Sequence, residues 1–219
     1  MYKEVLASLV QSGRAFGCIC TRKMLAGKSV YPGTCRKGLP EGTTARSFRF
    51  RMEDHSWEWK DVIQGNQHFE GAQSGDFVMR RADGFWAYQL AVVVDDVDQG
   101  VNAIIRGSDL LDSTPGQMAL REVLAPDFPV SRWGHLPLLV NREGQKLSKQ
   151  TQASPVDPNH APSLLIKVLG LLGQPIQESG AGTADSVDHI LKWAADRWNP
   201  AAVVSKNRQW QGEGHDSIS

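Results

Sequence analysis

His135-Leu136-Pro137-Leu138-Leu139-Val140, then Asn141-Arg142-Glu143-Gly144-Gln145, then Lys146-Leu147-Ser148-Lys149-Gln150: these sixteen residues decide how the rest of the chain is read. The first six form an apolar run of strand length, closed by turn formers, which is the signature of a buried strand. The Gly-containing turn then delivers two lysines three positions apart, with Ser148 between them. Two roles are open for such a loop. One is a solvated surface turn, since lysine-rich turns are common. The other is a nucleotide-handling loop. When a carboxylate attacks the α-phosphate of ATP, charge builds on the phosphate oxygens, and fixed cations aimed at them lower the barrier.

Working upstream, Val101–Ile105 reads as a second strand ending at Arg106-Gly107. Phe85–Val94 (FWAYQLAVVV), closed by Asp95-Asp96, reads as a third. Thr114-Pro115 predicts a helix start, with Thr as N-cap and Pro at the first helical position, running to about Leu124. Downstream, helices are predicted at about 163–172 and 185–198, and the polar residues 211–219 are predicted to fray. Strands alternating with helices give an α/β layer with parallel strands. At the other end, Tyr2, Val5, Leu6, Leu9 and Val10 recur at helical spacing, with Gly13 as a stop.

Residues 14–51 differ in charge from the remainder. Arg14, Arg22, Lys23, Lys28, Arg36, Lys37, Arg46, Arg49 and Arg51 stand against one acid, Glu41, whereas the whole chain has formal net charge +0. Nucleic-acid binding by bulk charge is thereby excluded, and any RNA contact must use this local patch. The segment is predicted to be mostly loop. Phe48 and Phe50, alternating with Arg49 and Arg51, predict a short half-buried strand.

The same segment holds all three cysteines, Cys18, Cys20 and Cys35. An odd set does not make a disulfide framework, and a reducing compartment fits better. Three thiols within 18 positions can supply three ligands of a tetrahedral zinc site, with Tyr31 or a water as the fourth. They can equally be three ordinary buried thiols. No apolar run is long enough to cross a bilayer, and Met1–Leu6 lacks the stretch of a signal peptide. The expectation is a cytoplasmic protein without membrane contact. Tyr88 and Arg106 fall on successive predicted strands, Arg106 at a strand end, where ligands bind in open α/β sheets. An arginine fork and a tyrosine hydroxyl can hold an amino-acid substrate; a core tyrosine and a salt bridge from Arg106 to Asp95, Asp96 or Asp109 is the alternative.

Taken together these residues resemble the glutamate-type class I aminoacyl-tRNA synthetases, and among them the short glutamyl-Q branch. The resemblance is carried by Phe16–Arg22, Tyr31–Arg36, Asp76–Asp96, Ile105–Thr114, His135–Pro137 and Lys146–Gln150. It implies the second half of a Rossmann-like catalytic domain, a zinc-bearing acceptor-binding-like insertion, and C-terminal helices. The corresponding bounds are 1–84 for the insertion, 85–160 for the catalytic half and 161–219 for the helical region. It implies zinc on Cys18, Cys20, Tyr31 and Cys35, glutamate contacts from Tyr88 and Arg106, and ATP contact from Lys149, with Lys146 beside it in the catalytic loop. ATP with Mg2+, L-glutamate and a tRNA(Asp) bearing queuosine are the implied co-substrates and partners, and a monomer is expected. The 69 residues after Gln150 are too few for the anticodon-binding region of a full glutamyl-tRNA synthetase. The family's HIGH-type ATP motif has no counterpart before Cys18. The expectation is therefore a fragment, a misplaced start or a degenerate copy, with impaired activation. The rival expectations are a truncated glutamyl-tRNA synthetase and a non-catalytic, zinc-stabilised tRNA-binding remnant.

Overall fold

The computed structural model describes residues 1–148, 155–175 and 186–209. Helix α1, Tyr2–Gln11, buries Leu6 and Leu9, the face expected from its spacing. Strands β1 (Ala15–Cys18) and β2 (Ser47–Phe50) pair antiparallel, from Ala15 opposite Phe50 to Cys18 opposite Ser47. Residues 19–46 between them contain neither helix nor strand, as the Gly, Pro and Thr content predicts. Gly17 is required at its place in β1, because a Cβ there would meet that of Ala45 at 2.7 Å.

Next come β3 (Ser56–Asp61), β4 (Gly65–Glu70), a one-turn helix α2 (Gly71–Ser74) and β5 (Val78–Arg80). Strand β5 adds to the far side of β2, giving the order β1-β2-β5. The pairing shifts register between Phe48 and Arg49. The alternation along β2 persists: Phe48 and Phe50 pack with the unit 1 core, and Arg49, paired with Phe16, lies on the Tyr31 side. That second face is covered by the cysteine loop, so Arg49 is buried, at 9% exposure.

A second correction concerns Phe85–Val94. The structure makes it the entry to helix α3, Tyr88–Asp98. Only Phe85–Ala87 are extended, with Trp86 bridging to Arg80. The valine run favours a strand by local propensity. Leu90, Val93 and Val94, however, lie at i, i+3 and i+4, and these three are the buried ones. Burial of such side chains is worth about 1.5–3 kcal/mol each, which outweighs the ~0.5 kcal/mol scale of the β-branched penalty in a helix. Tyr88 is consequently the first residue of a helix and 51% exposed, not a strand residue.

Strand β6, Ala103–Gly107, carries Arg106 one residue from its end. A 3-10 turn over Ser108–Ser113 leads into α4, Thr114–Leu124, with the predicted limits. The cap differs: Ser113 occupies the N-cap position, and the Thr114 hydroxyl donates back to the Leu110 carbonyl at 3.4 Å. The predicted 135–140 strand is two strands, β7 (Arg132–Leu136) and β8 (Leu139–Val140). They part at Pro137, which has no N–H for a ladder. Strands β3, β4, β6 and β7 form a sheet in the order β4-β3-β7-β6, with β3 and β7 parallel at Asp61 and Trp133. Helices α5 (Ala161–Leu171) and α6 (Val187–Asp196) follow, then β9 (Arg208–Gln209), parallel to β8. The predicted frayed end, 211–219, lies outside the described residues.

The chain falls into two units. Unit 1 comprises Met1–Asp61, Asn66–Ile104 and Leu110–Trp133. Its core gathers Leu6, Leu9, Phe50, Met52, Trp57, Met79, Leu90, Val93, Val94 and Leu120, and Tyr2 ties α1 to α3 through a 2.6 Å hydrogen bond to Asp95. Unit 2 comprises Val62–Gly65, Ile105–Asp109 and Gly134–Ser219. Leu169, Ile190, Trp193 and Ala194 pack α5 on α6 there.

Candidate functional site

In unit 1 the end of β1 and the loop after it bring the three cysteines to one point. Cys18 and Cys35 are buried, Cys20 is half-buried, all three are reduced, and their sulfurs lie within 4.8 Å of one another. Tyr31 closes the group. Its hydroxyl oxygen is 3.5 Å from Cys18 Sγ and 3.7 Å from Cys20 Sγ, and Cys20 Sγ is 3.7 Å from Cys35 Sγ. A tetrahedral zinc with Zn–S near 2.3 Å and Zn–O near 2.0–2.2 Å has ligand-to-ligand edges of about 3.5–3.8 Å. The Tyr31–Cys18, Tyr31–Cys20 and Cys20–Cys35 separations match such edges, and the three sulfurs together lie within a somewhat wider 4.8 Å. Phe16, Ile19 and Leu39 pack around the cluster and shield it from water.

The protonation states are pulled apart within this group. Burial opposes ionisation of Cys18, but hydrogen bonds involving the Tyr31 hydroxyl, the Cys20 backbone and Arg49 outweigh it and bring the thiol down to about 7. Cys20 moves the other way, raised chiefly by burial, with its neighbouring thiols adding to the rise. Burial and the surrounding cysteines also raise Tyr31.

Two arginines fasten this cluster to the sheet. Arg36, next to Cys35, donates from Nε to Asp76 Oδ2 and from Nη2 to Asp76 Oδ1, both at 2.6 Å. Asp76 Oδ1 also accepts the Met52 N–H at 2.9 Å, and the Asp76 side chain is 1% exposed. Arg49 stacks its guanidinium over the Tyr31 ring, 4.1 Å from the centroid, and donates from Nη1 to the Asp76 carbonyl at 3.0 Å. Neither Asp76 nor the burial of Arg49 is legible in the sequence. Arg36 and Asp76 are 40 positions apart, and no local periodicity links them. Beside the cluster lies an open cleft of about 640 Å³ whose walls include Tyr31, Arg36, Lys37 and Asp76.

In unit 2 the turn after β8 has the predicted form. The Asn141 and Gln145 backbones pair, the Asn141 side chain accepts the Gln145 N–H at 2.8 Å, and Gly144 sits at φ 77°. A residue with a side chain is strained at that φ. Lys146 then bridges back to Val140 and forms an ion pair with Asp109. Lys149 and Gln150 lie outside the described residues. Arg106 donates from Nε to Nε2 of the fully buried His135 at 3.0 Å, which fixes that ring nitrogen as an acceptor. Tyr88 belongs to unit 1 and Arg106 to unit 2.

Comparison with known proteins bears on the whole arrangement. Residues 1–181 match the model of the class I tRNA synthetases (E and Q), catalytic domain. The glutamyl-Q tRNA(Asp) synthetase of Chromobacterium violaceum is 44% identical over 212 residues, covering 93% of this chain and 69% of the relative. That of Pseudomonas syringae pv. tomato is 41% identical over 210 residues, covering 94% and 69%. A glutamate tRNA ligase from Elizabethkingia meningosepticum, solved in complex with its amino acid, superposes with a TM-score of 0.70 at 20% identity, covering 96% of this chain and half of that one. This last likeness concerns the fold, an α/β class I synthetase catalytic domain. The chain belongs to the class I tRNA synthetases of the E and Q type, alongside the glutamyl-Q tRNA(Asp) synthetases.

Proposed function

We propose that the chain takes part in ATP-dependent activation of glutamate and its transfer to queuosine in tRNA(Asp). The single observation that carries the reading is identity above 40%, over more than nine-tenths of the chain, to several glutamyl-Q tRNA(Asp) synthetases. In the first step the glutamate carboxylate attacks the α-phosphorus of ATP. The bond to the bridging oxygen breaks and pyrophosphate leaves. In the second, a hydroxyl of the queuosine cyclopentenediol attacks the acyl carbon and AMP departs.

Arg106 and Tyr88 are the proposed glutamate contacts. The hydrogen bond to buried His135 holds the Arg106 fork in one orientation, so less side-chain freedom is lost when a carboxylate binds. Lys149 is the proposed cation for the charge that develops on the phosphate. The Lys146–Asp109 pair and the Asn141–Gln145 turn anchor the start of its loop. Mg2+ accompanies the ATP. Cys18, Cys20, Cys35 and Tyr31 hold one zinc ion, whose role is structural: it closes the loop between β1 and β2, which has no regular structure of its own to hold it. The basic face of residues 14–51 meets the RNA backbone.

The test has two arms. ATP–pyrophosphate exchange dependent on glutamate reads activation. Transfer of labelled glutamate to queuosine-bearing tRNA(Asp), against tRNA(Glu), reads the acceptor. Both are run on the 219-residue chain and on a fusion with the N-terminal third of a glutamyl-Q relative, and glutamate-dependent exchange by the fusion is expected. Labelling of tRNA(Glu) at its 3′ end would replace the reading with that of a glutamyl-tRNA synthetase. Binding of tRNA without exchange by either protein would leave an RNA-binding role only.

A further inference from the structure

A buried cation stands beside the cysteine cluster without an anion to match it. Arg49 is 9% exposed, and among the described residues no carboxylate lies within ion-pairing distance of its guanidinium. Asp76 offers it only a backbone carbonyl, and the carboxylate of Asp76 is engaged by Arg36. Arg49 Nε is buried and makes no hydrogen bond. An isolated buried charge is costly and is normally paired or neutralised. Beyond the Asp76 carbonyl, the compensation in reach among the described residues is the face of Tyr31, 4.1 Å away, and the sulfur atoms that Tyr31 touches.

A divalent ion held by three thiolates and a neutral phenol oxygen carries one net negative charge. The cluster with its ion would then be the missing anion. We infer that Arg49 is the counter-cation of the metal cluster: it neutralises the charge of the loaded site and thereby raises its affinity for zinc. The inference rests on the zinc reading above. It also accounts for an arginine on the face of β2 that the cysteine loop covers, opposite Phe16 and against Tyr31.

The experiment measures zinc affinity by chelator competition on the full chain and on two variants. Arg49→Gln keeps a donor for the Asp76 carbonyl and removes the charge. Arg49→Lys keeps the charge and changes the shape. Groups just behind metal ligands typically contribute 10–100-fold in affinity. The Gln variant is expected to bind zinc about 10–100-fold more weakly, and the Lys variant to recover most of that loss. With cobalt in place of zinc, the sulfur-to-metal charge-transfer band should move to lower energy in the Gln variant alone, because a nearby cation holds the sulfur electrons down. A merely structural arginine would not produce that shift. Equal affinity of wild type and Arg49→Gln, or equal losses in both variants with an unmoved cobalt band, would overturn the assignment. Absence of zinc from the wild-type chain would instead remove the metal reading on which it stands.

Discussion

Replacing Asp76 with alanine should loosen the cysteine-bearing half of unit 1 more than any surface change of equal size. The Asp76 carboxylate, 1% exposed, accepts two 2.6 Å bonds from the Arg36 guanidinium and a 2.9 Å bond from the Met52 N–H. Breaking a buried ion pair by deleting one partner costs about 3–5 kcal/mol. The Arg36 side chain is 38% exposed, so water can recover part of its hydration, and the expected loss falls to about 2–4 kcal/mol. With a urea slope of about 1–3 kcal/mol per molar, the unfolding midpoint of unit 1 should drop by roughly 1–2 M. Urea titration of the Asp76→Ala chain against wild type, followed by tryptophan fluorescence, reads this directly. A second arm separates the pair from the packing. The double change Arg36→Met with Asp76→Leu removes both charges and should recover much of the loss, because no unmatched charge remains. A midpoint within about 0.3 M of wild type for Asp76→Ala, or a double variant no more stable than the single one, would refute the reasoning.

Elemental analysis should find about one zinc per chain, and Cys35→Ser should lose it together with protection of residues 19–46 from hydrogen exchange; a metal-free wild type with three freely titrating thiols would count against the site. In the metal-free protein the Cys18 thiol is depressed to about 7, so its thiolate is lost as pH falls through that value. Thiolate absorbance should therefore show one early step near pH 7, with Cys20, which is raised, ionising well above it; a single step at ordinary thiol pH would contradict the geometry. In an exchange-competent protein, Lys149→Ala should slow glutamate adenylation by about 10²–10³-fold, as for other groups acting on transition-state charge, while Arg106→Ala should chiefly raise KM for glutamate; normal exchange kinetics in the lysine variant would dismiss its role. Reversing Arg22 and Lys23 to Glu should weaken tRNA binding and flatten its salt dependence by about two counterions; an unchanged salt slope would place the RNA surface elsewhere.

Local patterns in the sequence account for much of this architecture. Helix α1 and helix α4 lie where spacing and turn residues put them, because an amphipathic period and a Thr-Pro start act within one or two turns. The cysteines and Tyr31 span only 18 positions, so a single loop can gather them. The Asn141–Gln145 turn is likewise a matter of neighbouring residues. The errors have one source. Phe85–Val94 reads as a strand from its valine run, and packing of Leu90, Val93 and Val94 into the unit 1 core makes Tyr88 onward a helix instead. Arg49 alternates with phenylalanines as an outward residue would, and only the cysteine loop folded over that face of β2, with Tyr31 against the guanidinium, buries it. The Arg36–Asp76 pair spans 40 positions, Arg106–His135 spans 29, and Tyr2–Asp95 spans 93. The sequence by itself determined the periodic elements, the turns and the local gathering of thiols, because each depends on backbone preferences over a few residues. Tertiary structure alone decided which charge is buried and which group answers it, because that depends on desolvation and on contacts between segments that no local pattern relates.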